Sequence, residues 1–248
     1  MEEEKQVSSS GVKDLAHKNG YNAYRPLLKP PLDPDKKKER YEFALMYQYK
    51  TMHFWSHVIF MDETVVRLYP QDSRKRVWRQ EGERLAPEYL VPSVKFGGKG
   101  VMFWGCISLA GTGPLIAVEG SLRGSDYADI LWQCIPQVKD SLGIQSAYII
   151  EDHPKVHQTL EVLGTKEDLR LKDLKLPGYS PGLNAIETVW SIFKERVAKR
   201  APETLDEIKR VAMQVWANFS LDDIRKHIQS MPDRLAEVVK RKGDSTKY

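Results

Sequence analysis

Three carboxylates stand where apolar runs give out. Residues Val58 to Glu63 read VIFMDE, four apolar residues leading into Asp62, and Ala147-Tyr148-Ile149-Ile150 leads in the same way into Glu151 and Asp152. Glu187 lies in SPGLNAIETVWSIFKERV, where the apolar period changes from that of a strand to that of a helix. Between Asp152 and Glu187 lie 34 residues, room for a helix, a short strand and a loop. Acids that converge at a sheet edge repel one another unless a cation holds them. Oxygen-only ligands select hard ions such as Mg²⁺ or Mn²⁺, which also bind phosphate oxygens. Two such ions can activate an attacking water or hydroxyl and stabilise the leaving oxygen of a phosphodiester. The chemistry on offer is phosphoryl transfer on nucleic acid.

Each acid also has a plainer reading. Asp62 fits a turn between two strands, Asp152 a helix N-cap, and Glu187 a capping box with Asn184. His153 and His157 fit packing or surface roles as well as they fit ligands. A carboxylate-pair glycosidase does not suit an order of strand, strand and helix beside a basic segment. Spacing alone leaves these alternatives open.

The elements that must position the acids follow from periodicity. Residues 1–20 are acidic, Ser-rich and Gly-containing, which reads as a disordered leader. Residues 21–56 comprise a proline-rich linker and a helix from a cap at Asp35 to about Trp55. His57 to Met61 and Val65 to Tyr69 read as two strands of a hairpin that turns at Asp62, Glu63 and Thr64. Val101 to Ser108 (VMFWGCIS) is a further strand, and Gly111-Thr112-Gly113-Pro114 a hairpin turn after it. Next come a helix from Ser125 to Val138, the strand into Glu151, a helix from Pro154 to Leu163 and an edge strand within Leu169 to Leu176. The Glu187 helix sets Glu187, Ser191 and Lys194 on one face. Leu205 to Phe219 and Leu221 to Lys240 are two more amphipathic helices, in a C-terminal segment 201–248. The order predicts an α/β protein with a mixed sheet flanked by helices, its core over residues 57–200.

Composition narrows the function. The 248 residues are 41% apolar, enough for one sizeable core, and the net charge is +4. Eight bases face four acids between Arg67 and Lys99, so the inserted basic loop 70–96 is the first candidate for touching phosphates. Candidate DNA contacts are Arg74, Lys75, Arg76, Arg79, Arg84, Lys99 and Lys194. Gly97-Gly98-Lys99-Gly100 lacks the Ser/Thr and the following helix of a phosphate loop. Two cysteines support neither a disulfide framework nor a cysteine zinc site, and no apolar run suggests a membrane partner.

Around the three acids the chain resembles the catalytic domain of DDE transposases of the Tc/mariner superfamily. FMDET, VMFWGCIS, SPGLNAIETVWSIFKERV and the closing SMPDRLAEVVKRKGDSTKY are similar to that family's motifs, in its order, from about Tyr21 to Tyr248. The resemblance implies an RNase H-like (retroviral integrase-like) five-stranded sheet, with Asp62, Asp152 and Glu187 as catalytic ligands of two Mg²⁺ or Mn²⁺ ions. It implies hydrolytic cleavage at transposon ends and strand transfer into double-stranded DNA, by a homodimer, in the nucleus. His153, His157 and Asn184 become candidates for supporting the ligands. His153 stands where the family has asparagine, and Gly182, Ala185 and Thr188 replace its usual Asp, Pro and Asn. The family's two helix-turn-helix modules are expected to be largely missing, which makes the chain a non-autonomous transposase. The rival reading is a silent or host-adopted remnant that binds DNA or protein without turnover.

Overall fold

The computed structural model describes residues 9–20, 32–68 and 99–246. The chain divides into two units, residues 1–31 and 32–248. In the first, Ser9–Lys18 forms α1 where composition predicts a disordered tail. VKDLAHK is made mostly of residues that tolerate a helix, and Asn19 and Gly20 stop it, Gly20 in the left-handed conformation at φ 78°.

The second unit opens with α2, Pro34–Tyr47. Its cap is Asp33 rather than Asp35: the Lys36 amide donates to the Asp33 carboxylate at 2.8 Å, and Pro34 fills the first turn, where no N–H is needed. The helix also ends sooner than periodicity suggests. A separate short turn, α3 (Met52–Trp55), follows, because Trp55 has to dive into the core, where it stacks on Phe60 at 6.2 Å.

Five strands form one sheet: β1 Val58–Arg67, β2 Gly100–Ser108, β3 Gly111–Val118, β4 Ala147–Ile150 and β5 Leu171–Asp173, in the order β3-β2-β1-β4-β5. The first three are antiparallel, and β4 and β5 run parallel to β1. Here β1 corrects the sequence reading. It is one unbroken strand of 10 residues, paired from Phe60↔Ile107 to Arg67↔Gly100, and Asp62 sits within it rather than at a turn. Asp-Glu-Thr lacks a glycine, proline or asparagine to reverse the chain, and Thr64-Val65-Val66 is a β-branched run that favours extension. Gly111 likewise begins β3, at φ 116°, and Leu109 and Ala110 make the turn.

Alternation along β1 sorts the molecule into two layers. Ile59 and Met61 pack under α4 (Gly124–Leu142) and α5 (Leu160–Asp168). Val58, Phe60 and Val66 pack on the other face with α6 (Ile186–Ala198), α7 (Leu205–Ala217), α8 (Leu221–Gln229) and α9 (Met231–Lys240). The expected single helix over Leu221 to Lys240 is broken into α8 and α9 at Ser230, since Pro232 fits the first turn of a new helix and not the interior of a long one. After Pro154 a 3₁₀ turn, Lys155–Gln158, precedes α5. Among the described residues no helix is long and apolar enough to cross a membrane.

Candidate active site

Asp62 and Glu63 are neighbours in sequence on opposite faces of the sheet. Asp62 belongs with Phe60 on the α6 face, and Gly105 is its partner across the β1–β2 ladder. Glu187 enters from the first turn of α6, whose Ile186, Val189, Trp190 and Phe193 are buried against this face. Asp152 comes off the end of β4 in the loop before Pro154 and is no helix cap; the 3₁₀ turn after it has no side-chain cap. Asp62, Asp152 and Glu187 line one cleft of about 320 Å³ with His153, Asn184 and the wall Leu176 to Pro181.

The acids feel one another. Burial, then the charges of Glu187, Glu63 and Asp152, push Asp62 up to about 8. Burial also raises Asp152 and Glu187; Glu63 adds to the shift at Asp152, while Lys194 opposes it at Glu187. This is uncompensated negative charge, the condition that a bound cation relieves. A second sign points the same way. Asn184 donates its Nδ2 to the Met61 carbonyl at 3.3 Å, which leaves its buried Oδ1 without a partner among the described residues. The capping-box reading of Asn184 and Glu187 is therefore incorrect: Ala185 holds the cap position, with no side-chain bond. Three carboxylates and a spare amide oxygen fit a hard divalent cation.

Other polar groups brace this arrangement. His153 bonds Asp173 at 2.7 Å, which raises His153 and, with the Lys175 amide, holds Asp173 low despite its burial. Under the other face, Glu151 accepts from the Tyr127 hydroxyl and the Lys166 ammonium, and burial still raises it. The His157 ring stacks on Tyr127 at 3.9 Å, and its Nδ1 lies 3.1 Å from the Asp152 carbonyl oxygen. Burial would lower His157, but Glu63 and Glu151 outweigh it and raise it. Two buried arginines fix the cleft wall: Arg40 donates to the carbonyls of Gly243 and Tyr179 and to Ser180 Oγ, and Arg234 to the Gly182 carbonyl and Thr188.

Sequence reasoning misses Tyr127, Lys166, Arg40, Arg234, Asp173 and Glu63 as parts of the site. Lys166 carries a readable sign, a cation on the buried face of α5 beside Val162 and Thr165. Of the basic candidates, Lys194 lies two turns along α6 from Glu187, on the exposed side. Lys99 immediately precedes β2, six residues before Gly105, the ladder partner of Asp62. Arg74, Lys75, Arg76, Arg79 and Arg84, with the loop 70–96, lie outside the described residues.

A profile described as DDE superfamily endonuclease matches residues 57–209, and those residues carry all three acids. The chain belongs to this DDE endonuclease family. Its transposase branch is equally clear: the Tcb1 transposable-element transposase of Caenorhabditis briggsae is 30% identical over 230 residues, spanning 92% of this chain and 84% of the relative. Among solved structures, the Mos1 transposase paired-end complex with left transposon end superposes with a TM-score of 0.83 at 17% identity, over 96% of this chain and 71% of that one. The mariner Mos1 paired end complex with Mg gives 0.81 at 16%, over 97% and 72%. This likeness confirms the RNase H-like fold of the DDE chain. A second profile, a helix-turn-helix one described as transposase, matches residues 1–49. The region expected to be largely missing thus has a counterpart here, and residues read as leader and linker fall inside it. The family makes the chain a metal-dependent transposase or endonuclease.

Proposed function

We propose that this DDE transposase cuts double-stranded DNA and joins the freed 3′-hydroxyl to a target, using two Mg²⁺ or Mn²⁺ ions. The observation that carries the reading is the convergence of Asp62, Asp152 and Glu187 on one cleft, with Asp62 raised first by burial and then by the charges of the acids around it. When bound, the ions supply Lewis acidity at the scissile phosphate and an activated water or hydroxyl.

The protein's own contributions follow from the fold. The β1–β2 ladder fixes Asp62, α6 fixes Glu187, and the His157 contact with the Asp152 carbonyl steadies the third acid's backbone. Asn184, held by the Met61 carbonyl, keeps its Oδ1 available to accept from a water in the cleft. Lys194 holds Glu187 toward its charged form and offers a cation to DNA phosphate beside the cleft. His153, bonded to Asp173, gives the place that the family fills with asparagine to an imidazole. The basic loop's arginines and Lys99 are proposed as further phosphate contacts. We also assign the working form to a homodimer acting in the nucleus; the similar Mos1 structure is a paired-end complex with a transposon end, which supports a paired arrangement here.

The test is joining. A labelled duplex with a recessed 3′-hydroxyl, incubated with supercoiled plasmid and Mn²⁺, should give covalently joined product. A remnant that only binds DNA would retard both molecules and join neither.

A further inference from the structure

Phosphoryl transfer in the cleft uses only the Nδ1 side of His157, and it leaves the Nε2 side and the Glu63 carboxylate without a task. Alternation carries Glu63 through the sheet to the face opposite Asp62, where it meets His157, whose side chain is 1% exposed. His157 Nδ1 lies 3.1 Å from the Asp152 backbone carbonyl, which can only accept, so Nδ1 carries the proton. Its Nε2 lies 3.3 Å from Glu63 Oε1, within ion-pair distance but outside hydrogen-bond geometry, and both atoms are buried without a hydrogen-bond partner among the described residues. A cation bound between them would take the place of any proton on Nε2 and bond to both atoms.

The geometry suits one. Ligand bonds of about 2.1 Å across a separation of 3.3 Å subtend roughly 100°, an angle found in tetrahedral and octahedral coordination. The Asp152 carboxylate supplies the third donor: one ligand atom each from Glu63, Asp152 and His157 lie within 4.8 Å of one another. Asp152 is 62% exposed, so solvent can complete the shell. A carbonyl behind Nδ1 is also how metal-binding histidines are usually held in one tautomer.

We infer that Glu63, Asp152 and His157 form a cation site distinct from the DDE cleft, selective for a first-row transition ion such as Mn²⁺ or Zn²⁺ over Mg²⁺. The imidazole nitrogen sets that preference, because Mg²⁺ favours oxygen donors. Asp152 is shared between the two sites, so an ion held by Glu63 and His157 orients the carboxylate that the cleft also uses. The inference stands on this geometry and not on the transposase reading, and Glu63 and His157 have no part in the cleft's own set of acids.

The experiment is pulsed electron paramagnetic resonance on the full chain loaded with Mn²⁺, read for coupling to an imidazole ¹⁴N. The wild type should show it, and Glu187→Gln, which alters only the cleft, should keep it. His157→Gln should lose it, and Glu63→Gln should weaken Mn²⁺ binding about tenfold or more, with circular dichroism confirming the fold of each variant. Should His157→Gln fail to fold, His153→Asn decides: the coupling should persist in it, and its loss would place the nitrogen in the DDE cleft and overturn the inference. Bound Mn²⁺ without nitrogen coupling, coupling that survives in folded His157→Gln, or no Mn²⁺ binding at all would overturn the inference. Metal-dependent nicking that persists without nitrogen coupling would overturn this site alone and leave the DDE reading standing.

Discussion

Gly105 faces Asp62 across the β1–β2 ladder, and the indole of Trp190 fills the space beside it: a Cβ built on Gly105 would lie 2.8 Å from the Trp190 ring. Trp190 is one turn beyond Glu187 on α6, so the close approach of helix to strand at Gly105 sets how near Glu187 comes to Asp62. Gly105→Ala should push α6 outward, lowering stability by about 1–3 kcal/mol and cleavage by a larger factor than the fraction unfolded explains. Thermal melts beside single-turnover cleavage check this. Equal losses in both would mean the contact only supports the fold.

Metal-free protein should gain stability when Asp62 loses its charge. The carboxyl is raised to about 8 in the folded chain, from an ordinary aspartate value of 3.8. Its contribution to stability is therefore full below about pH 4 and is lost as pH rises through 8. Asp62→Asn should raise the melting temperature in EDTA at pH 8 and flatten its pH dependence, by on the order of a few kcal/mol. With saturating Mn²⁺ the ordering should reverse, because the wild type gains the ion and the variant does not.

Removing Lys166 strands Glu151. Both are buried and bonded to one another, and a lone buried carboxylate costs about 3–5 kcal/mol. Lys166→Met should destabilise the chain by that order, and Lys166→Met with Glu151→Gln should recover much of the loss. Chemical denaturation of the two variants measures it; no recovery in the double variant would show that the pair does not act as a unit.

Asn184 separates support from packing. Asn184→Ala removes both the bond to the Met61 carbonyl and the free Oδ1, while Asn184→Asp keeps a side-chain oxygen and adds a charge to three acids. Both should cut cleavage at least tenfold with little change in melting temperature in Mn²⁺. Unaltered cleavage in Asn184→Ala would remove this residue from the site.

The three acids and the fold are legible in the sequence because each acid follows an apolar run whose period declares strand or helix. The turn expected at Asp62 is wrong because a polar triplet inside a long buried strand looks like a break; only the pairing with β2 shows that it continues. Arg40 and Arg234 escape for another reason. Their partners, Gly243, Ser180 and Gly182, are far away in the chain, and nothing in a local window says that an exposed-looking arginine is buried against distant carbonyls. Glu63 and His157 cannot be paired from sequence either, since the face each occupies depends on an unbroken β1 and on where the 3₁₀ turn after Asp152 returns the chain.

The central claim is that Asp62, Asp152 and Glu187 act as one metal-dependent cutting site. Nicking of supercoiled plasmid in Mn²⁺, Mg²⁺ and Ca²⁺ tests it most directly, comparing the chain with Asp62→Ala, Asp152→Ala and Glu187→Ala. Nicking in Mn²⁺ and Mg²⁺, little in Ca²⁺, and a loss on the order of a hundredfold or more in each folded variant is the predicted result. Nicking that survives any one of the three substitutions, or a folded wild type that binds Mn²⁺ and leaves the plasmid intact, would contradict it.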